Sequence, residues 1–166
     1  MGMSLKLTGD WKKAGIVLKN LSVRLYPAFE LQLQKDGDFV LETMKSHIDS
    51  QDLGWVKLAD STIELKGGDD TIMIDSGQFK NGLVVRRVKS TTKGSTFFIG
   101  ASPWKKHKNA RTGESVPFDS LMIWLEYGTD KMPPRPLIRP TWDEIEPILK
   151  ENWRSLLGDI IETGGN

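Results

Sequence analysis

The stretch from 121 to 142, Leu121-Met122-Ile123-Trp124-Leu125-Glu126-Tyr127-Gly128-Thr129-Asp130-Lys131-Met132-Pro133-Pro134-Arg135-Pro136-Leu137-Ile138-Arg139-Pro140-Thr141-Trp142, decides how the chain is assembled. It joins an apolar run to the last helical pattern. Residues 121–127 are apolar on both faces, which fits a central strand or a short buried helix, and a third strand is the reading adopted. Four prolines and two arginines follow. Proline fixes its own φ and pushes the preceding residue towards extended geometry, so 128–140 is expected to be a stiff strap, ordered before anything binds. Arg135 and Arg139 would project from it, suited to bidentate pairing with carboxylates of this chain or of a neighbour. The plainer alternative is a lead-in to the helix.

Downstream, Thr141 is expected to start the final helix, with Ile145, Ile148, Leu149, Trp153, Leu156, Leu157 and Ile160 on one face. Pro147 either begins that helix or kinks it, and 164–166 should fray. Upstream, Leu83-Val84-Val85-Arg86-Arg87-Val88 and Thr96-Phe97-Phe98-Ile99-Gly100 flank a polar turn and predict a β-hairpin. Residues 103–118 form a basic loop. The stretch 49–78 has no period and reads as a long loop with at most a short helix near 60–65, a length that normally signals binding or mobility. At the N-terminal side, Thr8-Gly9-Asp10 offers a cap, and Trp11, Ala14, Leu18, Leu21 and Leu25 predict a helix over about 10–25. Pro27 interrupts it. Phe29, Leu33, Val40, Met44 and Ile48 predict a second helix over about 27–49, in which Gly37 marks a weak point or bend.

The 166 residues suit a single domain over 1–166. With 23 Lys+Arg against 22 Asp+Glu, bulk charge indicates neither nucleic acid nor membrane as a partner. The local balance differs. Residues 86–113 hold eight basic side chains and no acid, whereas 49–75 hold seven acids against Lys57 and Lys66. Cysteine is absent, which removes disulfides and thiolate chemistry and fits a reducing compartment. No apolar run approaches the roughly 20 residues that span a bilayer, and no signal peptide is recognisable, so the chain is expected to remain in the cytoplasm or in something assembled there.

No catalytic constellation is evident. His47 and His107 have no metal-ligand spacing, and Asp69, Asp70 and Asp75 lack the rhythm of a calcium loop. Neither a GxSxG elbow nor a phosphate-binding loop occurs, so no enzyme, metal or cofactor is expected. Trp104 beside Lys105, Lys106, Lys108 and Arg111 suits phosphate contacts and stacking, although such loops are commonly just solvated. Trp11 and Trp153 lie on helix stripes and are expected in the core.

Residues 127–140 resemble the E-x-G-T-x-x-M-P-A-R-P-F-x-x-P signature of the tail-completion, or virion-morphogenesis, proteins of tailed bacteriophages, which join tail to head. A second block is similar to another run of that family: Trp55-Val56-Lys57-Leu58 to Thr62, Lys66-Gly67, and Ile74-Asp75-Ser76-Gly77 to Leu83. Ser76, Phe79 and Pro134 replace the usual threonine, leucine and alanine. The resemblance implies an α+β fold. The elements above then compose a small antiparallel sheet of three to four strands with a long N-terminal helix, or kinked helix pair, and a C-terminal helix. It also implies a virion protein of the tail or neck, assembled in the host cytoplasm as a ring of its own copies, a hexamer, with other phage neck or tail proteins as partners. Arg135, Pro136, Arg139, Pro140, Trp55 and Asp75 are then the expected interface residues. Lys105, Lys106, Lys108 and Arg111 would face phage DNA in the lumen. The competing reading of those cations is a free-standing, sequence-independent nucleic-acid-binding module using 86–111.

Overall fold

The computed structural model describes residues 11–91, 94–108 and 113–163, with the side chains of the first helix from Leu25 onward. The cap at 8–10, the side chains of the stripe from Trp11 to Leu21, the hairpin turn at 92–93, Arg111 and the tail 164–166 lie outside the described residues.

The α+β fold expected from the sequence is present, with a long helix at each end of the described chain. Helix α1 (Trp11–Ser50) runs through Pro27, so the expected break is absent. Pro27 is exposed, and its ring costs the helix one backbone donor without ending it. Past Pro27, the buried stripe Val40, Met44 and Ile48 packs on Ile145 and Leu149 of α5 (Ile138–Thr163). Helix α5 begins at Ile138, three residues before the expected Thr141, and continues through exposed Pro147.

Between these helices come α2 (Asp60–Leu65), α3 (Gln78–Gly82), the hairpin β1 (Leu83–Thr91) and β2 (Gly94–Ala101), a short pair β3 (Lys106–Lys108) and β4 (Ser115–Pro117), and α4 (Phe118–Tyr127). Both strand pairs are antiparallel and form separate two-stranded sheets. The hairpin and the short helix at 60–65 match expectation, whereas β3 and β4 arise inside the stretch read as a basic loop, and α3 fills the gap between the 49–78 loop and β1, to which the sequence reading assigns no element. The run 121–127 is helical, a correction to the third strand. Phe118, Met122 and Leu125 are buried at helical spacing, while Ile123, Trp124 and Tyr127 face outward. The exposed apolar residues disguised an amphipathic helix as a two-sided strand.

Gly37 has a packing role. A Cβ at Gly37 would lie 2.8 Å from Val85 Cγ1, so its absence lets the hairpin close onto α1. Nearby, the buried Asp36 carboxylate joins the two long helices, accepting from Gln32 Nε2 and from Trp153 Nε1, each at 2.7 Å. Phe29 meets the Trp153 ring edge-on, and this places Trp153 in the packing expected of it. Asp36→Ala leaves that indole N–H without its acceptor and is expected to cost about 2 kcal/mol in a urea titration.

Candidate functional site

The strap begins at Gly128, whose φ of +77° suits glycine, and where a Cβ would sit 2.8 Å from Met132 O. A small turn closed by Thr129 and Met132 leads into the prolines. Leaving the turn, Arg135 N donates to Leu125 O at 2.6 Å, which fastens the strap to α4. The Arg135 side chain is buried rather than presented to a neighbour. Its Nε donates to Val56 O at 2.8 Å and its Nη2 to Lys57 O at 3.1 Å, so the guanidinium fork holds backbone carbonyls instead of the carboxylates expected. Burial pushes its pKa down from the ordinary value. Trp55 Nε1 donates to Pro136 O at 2.7 Å from the other side of the same loop. The two motif blocks thus bond to each other in space.

The strap ends where α5 starts, and Glu126 governs that junction. Its carboxylate accepts from Leu137 N, Ile138 N and Arg139 N at 2.8, 2.9 and 3.0 Å. Pro140 has no N–H to satisfy, and Thr141 N turns back to Leu137 O. The donors of the first turn are therefore accounted for. Sequence reasoning fixed on the arginines and missed Glu126; the signal was an acid placed just before a stiff lead-in to a helix.

Among the other expected interface residues, Pro136 and Pro140 are half-buried, while Arg139 has an exposed side chain. Asp75 is exposed on the rim of a cavity of about 160 Å³, bordered also by His107 of β3. The acidic 60–75 segment and basic β3 therefore adjoin. In this segment Thr71, through its hydroxyl and amide, holds the Asp69 carboxyl down at about 2, with Lys66 adding to the effect. At the end of α1, buried His47 places Nδ1 2.8 Å from Asp52 and Nε2 3.2 Å from Glu144 of α5. That hydrogen bond from His47 lowers the Asp52 pKa.

Lys105, Lys106 and Lys108 are all exposed, and Lys105 Nζ lies 3.3 Å from Asn81 O. Arg86 stacks over the Trp104 ring at 3.8 Å, a cation–π contact beside these lysines that joins β1 to the basic loop. Among the described residues, no group of three or more His, Cys, Asp or Glu is placed to hold a metal, and no helix is long and apolar enough to cross a membrane. Compared with known proteins, the chain matches no family model, no curated protein and no solved structure.

Proposed function

We propose that this chain is a structural protein of a tailed-phage virion, completing the tail or joining tail to head at the neck as a ring subunit. The observation that carries the reading is the lock between Trp55, Arg135 and Pro136, because it unites the two blocks on which the resemblance rests. A strap fixed in this way holds its exposed residues, Lys131 and Arg139 among them, in place before assembly. Pre-ordering reduces the entropy lost on association. Native mass across a concentration series, with negative-stain imaging, is expected to show closed rings of about six copies, a symmetry that head-to-tail contacts permit. A monomer at every concentration, with no ring on the grid, would count against the reading.

The stacked Arg86–Trp104 pair among exposed lysines favours a second reading, sequence-independent nucleic-acid binding by the free chain. That reading expects the monomer to bind DNA with an affinity that falls steeply with salt. In the ring, the same cations are placed at the lumen. Unchanged head-to-tail joining and DNA delivery after Lys105, Lys106 and Lys108 are neutralised would remove them from that role.

A further inference from the structure

Strand β2 is bonded to β1 on one side, and no strand covers its other edge among the described residues. An open edge is a template for another chain, and proteins usually blunt it with charge, proline or a bulge. Strand β1 is blunted in this way. It carries Arg86, Arg87 and Lys89, and its register slips between Arg87 and Lys89. Strand β2, Gly-Ser-Thr-Phe-Phe-Ile-Gly-Ala, has neither charge nor proline.

The backbone shows which groups face outward. Ser102 N donates to Gly82 O on the β1 side, whereas Ala101 N turns the other way, to Met122 Sδ at 3.3 Å. Because successive residues alternate, the N–H and C=O of Ile99 and Phe97 also point out of the open edge. A groove of about 510 Å³ runs there. Phe98, Ile99, Gly100 and Ala101 all border it, and residues from alternate faces share a groove only along an edge. Ile123 and Tyr127 of α4 form its far wall and are 58% and 72% exposed. A second groove of about 650 Å³, bordered by Phe97, Leu33 and Trp142, shares Ile99 with it.

The chain contains a segment with the matching pattern. Residues 1–8, Met-Gly-Met-Ser-Leu-Lys-Leu-Thr, alternate apolar with small or polar side chains, the period of a half-buried strand. This segment lies outside the described residues. It cannot reach the groove between β2 and α4 of its own molecule. Gly37 packs beside Ile99, and Trp11 stands about 39 Å up the helix from Gly37 at 1.5 Å per residue. A bend at Pro27 shortens that distance little. Leu5, six residues before Trp11, reaches back at most about 20 Å. That groove is therefore open to this segment only from another copy.

We propose that residues 1–8 of one copy add as a strand to the open edge of β2 in a second copy, with Met3, Leu5 and Leu7 entering the apolar groove. The proposal rests on the reading that the chain assembles with itself. Each copy then gives one arm and receives one, a heterologous contact that closes into a ring with no β2 edge left open.

The absence of cysteine makes the test clean. A chain carrying Leu5→Cys is mixed with one carrying Ile123→Cys under mild oxidation, and Glu42→Cys, exposed on α1, replaces Ile123→Cys in the control. The expected result is at least about fivefold more disulfide-linked heterodimer with Ile123→Cys than with the control, since only docking brings the sulfurs together. A chain lacking residues 1–9 is expected to lose the large species in native mass measurements. If the full chain assembles but the cross-link shows no preference, or the shortened chain keeps the full chain's copy number, the proposal is overturned and self-assembly stands. A full chain that stays monomeric and gives no preferential cross-link overturns both.

Discussion

Replacing Arg135 with methionine is expected to destabilise the protein by about 3 kcal/mol, because two hydrogen bonds from a charged donor are lost together. Arg135 is 5% exposed, and its fork reaches Val56 O and Lys57 O on the loop whose Trp55 bonds Pro136 O. Methionine keeps much of the apolar stem, so the loss reports on the polar head. Lysine retains the charge without the planar fork and is expected to recover less than half of it. Urea denaturation gives the total, and hydrogen exchange over residues 51–58 locates it, with loop amides exchanging faster than those of α1. A variant within about 0.5 kcal/mol of the parent, the range of ordinary surface changes, would show that the guanidinium does not hold the loop.

Glu126→Ala acts at the other end of the strap and is expected to cost a similar amount, about 3 kcal/mol. One carboxylate receives three backbone N–H groups at the positive end of a 26-residue helix, so hydrogen bonding and the helix dipole act together. Water replaces only part of this, because Leu137 is buried. Glu126→Gln keeps an acceptor oxygen but loses the charge, and it should fall between the two. For a chain of this size, thermal unfolding should move down by about 6–12 °C. An unchanged midpoint in both variants would mean that the first turn of α5 is held by its packing alone.

How far the sequence could be read varied with the range of the interactions involved. Local signals succeeded: the hairpin, the short helix at 60–65 and the amphipathic stripe of α1 all rest on neighbours within a few residues. The break at Pro27 failed because a proline facing water costs one helical bond, and the flanking stripe outweighs it. Helix α4 failed because Ile123, Trp124 and Tyr127 are apolar yet exposed, which erased the periodicity that separates helix from strand. That residues 133–136 stay out of both flanking helices was legible from their prolines. The destination of Arg135 was not, since carbonyl groups have no sequence signature and every residue carries one.

The lock has a consequence for the order in which the chain folds. Trp55 and Pro136 are separated by 81 positions, and Arg135 and Val56 by 79. Closing so long a loop costs entropy that only the finished core can offset. The hairpin, whose partners are close in sequence, can form early. The segment around Trp55 must instead wait, during synthesis, until the strap has left the ribosome, so the second motif block is completed by residues made long after it.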